Sequence, residues 1–212
     1  MVIQVTNARV SSRRNGRVQM GDKSIQKKQY IIDVAAKVFS EMGYKNVTMK
    51  DIVDACDISR GGLYLYYEST SELFVDVMKS QAAAGEDFTS LISDDATAAD
   101  ILLLFLQEEK KDLFRKKGNL NRAYFEFYFD ARPAKSDNVY KKKFDSNVKM
   151  IGKLIEIGVE SGEFVCDDPV TAAYNIVYLI EGLKVTSATL GVSPDSFDRQ
   201  ILYILQSLGV DA

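Results

Sequence analysis

Three features of the 212-residue chain predict an all-α protein. Only three prolines interrupt it. Apolar residues recur at spacings of three and four over stretches too long to be strands. Residues that start and stop helices punctuate those stretches at helix-length intervals. About nine helices are expected. The first three form a helix-turn-helix unit, and the longer ones that follow build a second helical domain.

The elements follow in order. Ile31, Val34, Ala35, Val38, Phe39 and Met42 fall on one helix face, and Gly43 stops that helix. Thr48, with Asp51 three residues on, is an N-cap signature for a short helix through Ala55. Residues 56–59 make a turn, and a glycine-tyrosine segment, RGGLYLYY, follows at 60–67. Ser69 or Thr70 caps a helix carrying Leu73, Phe74, Val77 and Met78. Longer helices then read as 99–118 (closed by Gly118), 122–133 (strongly aromatic, ended by Pro133) and 138–164 (with Val148, Ile151, Ile155 and Val159 on one stripe). Asp168-Pro169 and Ser193-Pro194 each open a further helix, since proline is favoured at the first helical position.

Composition narrows the function. Apolar content of 46% and charged content of 27% fit a soluble globular protein. The longest aliphatic and aromatic run, ILLLFL at 101–106, is far short of a membrane span. The arginine-studded N-terminus does not read as a secretory signal. Cys56 and Cys166 stand in no metal or redox spacing and fit small buried residues in a reducing cytoplasm. The absence of histidine removes Ser-His-Asp and Cys-His nucleophiles and the usual zinc sites. The Gly152-Lys153 pair lacks the flanking residues of a phosphate loop. No enzymatic activity, cofactor or metal is therefore expected.

Charge is unevenly spread. Residues 1–80 hold 12 Lys+Arg against 9 Asp+Glu, a net of +3, and residues 81–212 hold 15 against 21, a net of −6. A basic front on an acidic body points any polyanion to the front. Residues 1–23, with Arg9, Arg13, Arg14, Arg17 and Lys23, read as a basic tail expected to lack fixed structure. The alternative is an arm that reaches a DNA groove.

Two adjacent glycines in a short helix cost roughly 1 kcal/mol each against alanine. In a helix-turn-helix, the N-terminal end of the second helix meets base edges in the major groove. Side-chain bulk there would hold the backbone off the DNA, so Gly61 and Gly62 suit the point of closest approach. Arg60 beside them can bond guanine or phosphate. The hydroxyls of Tyr64 and Tyr66 can donate to phosphate oxygens, while Ile58, Leu63 and Tyr67 pack back onto the first helix.

An alanine pair and Phe-x-x-x-Gly occur in AAKVFSEMGY (35–44), a Thr, an Ile and a small residue in TMKDIVDA (48–55), then GGLYLYY (61–67) and SELF (71–74). Together these elements resemble the DNA-binding region of the TetR family of bacterial transcriptional regulators. The remainder matches more loosely, through ESGEF (160–164), the Asp-Pro helix start and EGL (181–183). The resemblance implies a helix-turn-helix domain over 24–70 and a helical effector-binding and dimerisation domain over 71–212. It implies DNA contacts from Thr48, Lys50, Ser59, Arg60, Gly62, Tyr64, Leu65 and Tyr66. Asp57 replaces a usual glycine, and Tyr66 a common histidine. Thr70 stands where a phosphate-binding lysine often opens the fourth helix. The implied function is a repressor that binds a palindromic operator as a homodimer and is released by a small molecule. The net negative charge motivates the alternative of an all-helical interaction module without sequence-specific DNA binding.

The last two helices carry apolar stripes with few charges and are expected to pair with their symmetry mates. Phe105, Tyr124, Phe125, Tyr128, Phe144, Tyr174 and Tyr178 are candidates for lining an effector pocket suited to an apolar or aromatic compound. Core packing competes as the explanation for each of them.

Overall fold

The computed structural model describes residues 11–85, 93, 95–115, 117–131 and 138–210. Among these are nine helices and no strand. They are α1 (Ser11–Met42), α2 (Met49–Cys56), α3 (Arg60–Tyr64), α4 (Thr70–Gly85), α5 (Ala98–Leu113), α6 (Asn121–Ala131), α7 (Val139–Ser161), α8 (Pro169–Thr189) and α9 (Pro194–Ser207).

The caps explain most boundaries. Thr48 and Asp51 form a complete capping box on α2, and Thr97 and Asp100 form another on α5 that had no expected counterpart. Ser69, not Thr70, caps α4, accepting from the Glu72 amide at 3.2 Å. Two expectations need correction. Helix α5 ends at Leu113 rather than near Gly118, because the Asn119 side-chain amide takes the carbonyls of Asp112 and Leu113, each at 3.1 Å. Residues 11–23, expected to lack structure, continue α1. No proline interrupts them, and Arg, Gln, Met and Lys are good helix formers. Residues 1–10 lie outside the described residues.

Packing divides into two clusters. One joins α5, α7, α8 and α9 through residues such as Leu102, Leu106, Ile151, Ile155, Ile180 and Ile201. The other joins α1 to α4, and it also takes in Leu120, Ala123 and Phe127 at and within α6. The expected boundary at residue 70 is not a packing boundary, since Leu73, Phe74, Val77 and Met78 share a cluster with Ile31 and Phe39. At its centre, the Phe74 ring lies 4.7 Å from Phe39, 5.3 Å from Tyr44, 5.3 Å from Phe127 and 5.8 Å from Tyr124, centroid to centroid. Each such pair contributes about 0.5–1.5 kcal/mol beyond area burial.

A polar strap closes the N-terminal cluster. The Asp76 carboxylate on α4 pairs with Lys28 of α1 at 2.8 Å and accepts from the hydroxyl of the fully buried Tyr67 at 3.3 Å. Burial alone would raise the Asp76 pKa, but hydrogen bonds from Lys28 and Lys79 outweigh it and hold it below the ordinary carboxylate value. A depressed folded pKa means the contribution is present above the unfolded value of about 4. It is lost as pH falls through the folded value. Asp76→Ala leaves the Tyr67 hydroxyl buried without its partner and should destabilise the protein by roughly 1–3 kcal/mol at neutral pH. Urea denaturation should show that deficit shrinking below about pH 4.

Candidate nucleic-acid interface and ligand cavity

The helix-turn-helix is built by local rules. Asp57 closes α2 in the left-handed region at φ 50°, its amide bonded to the Asp54 and Val53 carbonyls. The Ser59 hydroxyl then caps α3, accepting from the Gly62 amide at 3.1 Å. Leu63 and Tyr67 are buried and Ile58 is half-buried against the same cluster, which leaves one side of α3 outward.

Of the ten sequence-predicted DNA contacts, Thr48, Lys50, Ser59, Arg60, Gly61, Tyr64 and Leu65 are exposed, and Leu65 is 83% so. The Arg60 guanidinium lies over the Tyr64 ring at 5.4 Å, and the two edge a shallow groove with Met49, Lys50 and Val53 of α2. Gly62, Tyr66 and Thr70 are half-buried. The Tyr66 hydroxyl turns toward Ser24 of α1 at 3.4 Å. The glycines differ. A Cβ on Gly61 would meet nothing within 4 Å, whereas one on Gly62 would sit 3.1 Å from the capping hydroxyl of Ser59. Gly62 thus answers to the cap as well as to any DNA. At Gly61 no contact within the chain demands glycine.

A cavity of about 110 Å³ opens among α4, α5, α6, α7 and α8. Met78, Leu120, Tyr124, Val139 and Tyr140 form its walls, and the exposed Gln81, Asp112, Arg115 and Lys143 its rim. Its lining also holds Glu109 and Lys184, both more than nine-tenths buried and 2.7 Å apart, with Glu181 a further 2.9 Å from the same ammonium. Burial would lower the Lys184 pKa, but the two carboxylates outweigh it and raise it above its ordinary value. Burial acts to raise Glu109 too, yet Lys184 and Lys143 hold it below the ordinary range. Glu181 is pushed up by burial, and its Oε2 has no hydrogen-bond partner. The cavity wall is therefore partly ionic.

The seven aromatic candidates do not form one pocket. Tyr124 lines the cavity. Tyr128 stands behind it, 5.4 Å from the Tyr140 ring, its hydroxyl accepting from the Tyr140 amide at 2.9 Å and its pKa pushed up to about 12 by burial. Phe125 meets Tyr140 edge-on at 6.5 Å. Phe105 belongs to the C-terminal core. Phe144, Tyr174 and Tyr178 cluster with tilted rings at 5.4–6.2 Å elsewhere on α7 and α8. Sequence reasoning missed Glu109, Lys184 and Tyr140. A signal was present: Glu181 and Lys184 are the only charged residues in helix α8.

Comparisons with known proteins agree with this geometry. Residues 31–77 match the family model described as bacterial regulatory proteins, tetR family. Residues 101–197 match a tetracyclin repressor-like C-terminal domain. YfiR of Bacillus subtilis strain 168, described as an uncharacterized HTH-type transcriptional regulator, is 28% identical over 63% of this chain and 66% of its own length. YhgD of the same organism, described likewise, is 26% identical over 74% of this chain and 81% of its own. Among solved structures, reduced NemR of Escherichia coli aligns with a TM-score of 0.75 and 14% identity over 88% of this chain and 99% of that one. A putative regulator from Saccharomonospora viridis, solved with choline, gives 0.75 and 17% over 85% and 96%. With both halves matched, and with a capped helix-turn-helix set on a helical body, the chain belongs to the TetR family of bacterial transcriptional regulators.

Proposed function

We propose that the protein represses transcription by binding a near-palindromic operator as a homodimer, and that a small organic molecule entering the α4–α8 cavity releases it. The observation that carries the DNA half is the outward face of α3. Its cap fixes the backbone, its buried residues fix the rotation, and Arg60, Gly61, Tyr64 and Leu65 remain for a groove. Lys50 and Thr48 of α2 stand beside it for phosphate contacts.

The dimer half rests on α8 and α9. Val170, Tyr174, Tyr178 and Val185 are exposed apolar residues within an arc of less than a quarter turn on α8, and Leu202 and Tyr203 are exposed on α9. A monomer seldom exposes such a stripe, and an isologous pairing covers it on both subunits. For the ligand, apolar walls with an ionic floor favour a small organic compound bearing a polar group over a plain hydrocarbon. The neighbour solved with choline supports a small-molecule reading of this architecture.

Duplexes selected from a random pool should be near-palindromic, and affinity should fall by about 10³ between 50 and 200 mM salt. Weak binding that is flat with salt would return the protein to the interaction-module alternative. Gly61→Leu should leave thermal unfolding unchanged or raise it, because a Cβ there meets nothing within 4 Å and leucine is the better helix former. It should weaken operator binding roughly tenfold or more, as for loss of one good base contact. Tyr178→Glu should convert the dimer to monomer in sedimentation and remove operator binding with it. A monomeric variant that binds the operator normally contradicts the dimer reading.

A further inference from the structure

We infer that Glu126 of α6 is the positioning residue that fastens the helix-turn-helix to the cavity wall and passes the state of the cavity to it. The inference rests on the regulator reading above and names the joint within it. Helix α1 ends at Met42, and the next residue, Gly43, turns the chain toward α2 with a φ of +76°. The Glu126 carboxylate lies against that bare backbone. A Cβ on Gly43 would come within 2.6 Å of its Oε2 and 2.9 Å of its Oε1. Oε2 accepts from the Lys45 amide at 2.9 Å, a contact across 81 positions of sequence, and Oε1 accepts from Arg122 Nε at 2.7 Å. Burial alone would raise the Glu126 pKa. Hydrogen bonds from the Lys45 amide, Arg122 and the Tyr44 amide hold it below the ordinary range, so the carboxylate stays charged at neutral pH. Hydrogen bonds to an ionised acceptor are about twice as strong as neutral ones.

The position of this contact gives it its meaning. Lys45 lies three residues before Thr48, the N-cap from which α2 is set. Two positions before Glu126 on the same short helix, Tyr124 lines the cavity, and Phe127 packs against Tyr44 at 5.0 Å. At about 110 Å³, the cavity is smaller than the ~150 Å³ that accepts a benzene ring. A larger ligand that seats inside rather than projecting through the rim pushes a wall. When that wall is α6, the displacement arrives at residues 43–45 through Glu126 and Tyr44 and tilts the reading head.

The test uses the full-length dimer and a duplex taken from the random-pool selection, with Val139→Trp filling the cavity from the α7 side in place of a ligand. Glu126→Ala should weaken duplex binding about fivefold or more, the lower end of ordinary couplings, and should abolish exchange protection at the Lys45 amide. Glu126→Gln keeps an acceptor for that amide and should recover most of both. Val139→Trp should weaken binding in the wild-type background and add little in Glu126→Ala. Full additivity of the two changes, normal binding by Glu126→Ala, or no rescue by Gln overturns the inference. If Glu126→Ala does not fold, the cycle is run with Glu126→Asp, whose shorter side chain draws the carboxylate away from the Lys45 amide. If the wild type selects no duplex, the regulator reading fails, and Lys45 exchange in the variants still decides whether Glu126 holds the turn.

Discussion

The structure depends on one aromatic contact set, in which Phe74 packs against Phe39, Tyr44, Phe127 and Tyr124. Helices α1 to α3 are too small to enclose a core of their own. A chain of about 60 residues buries only about 60% of the surface it exposes when unfolded, and its stability is marginal. Here α4 and α6 supply the missing side, and Phe127 of α6 sits fully inside the N-terminal cluster. The reading head is thus not a bead on a linker. Its core is shared with the helix that walls the cavity, so the two cannot move independently without breaking apolar contacts.

Around that joint, the polar groups are arranged by local need. Capping side chains at Thr48, Ser59 and Thr97 satisfy helix amides that would otherwise be left open. The Glu109–Lys184–Glu181 group is different in kind. A buried ion pair often does no better than an apolar replacement, so stability alone does not account for it. Two of its members, Glu109 and Lys184, stand in the cavity lining. The N-terminal half is held by rings and caps, and the cavity floor by charge.

Much of this was legible in the sequence because it is written in short-range patterns. Thr48 and Asp51, Asp57 in its left-handed turn, and the proline starts of α8 and α9 are neighbours in the chain, and each has a local physical reason. The outward face of α3 followed from alternation within a few residues, since Leu63 and Tyr67 must turn inward if Arg60 and Tyr64 turn out. What could not be read was long-range. Glu126 touching Lys45, Phe127 entering the N-terminal core, and Glu109 meeting Lys184 join segments without any shared period. The aromatic candidates illustrate the limit. Ring content marked α6 correctly as unusual, but Tyr124 faces the cavity, Phe127 the reading head and Phe129 solvent, and only the packing distinguishes them.

Native-state hydrogen exchange tests most directly whether head and wall form one unit. If the aromatic set fuses them, the amides of Ile31–Phe39 in α1, Leu73–Met78 in α4 and Ala123–Phe127 in α6 should share one opening free energy and shift together in Phe127→Ala. If α1 to α4 open at a lower free energy while α6 stays protected with α5, α7 and α8, then the helix-turn-helix is an independent unit. In that case, the shared core does not govern its position.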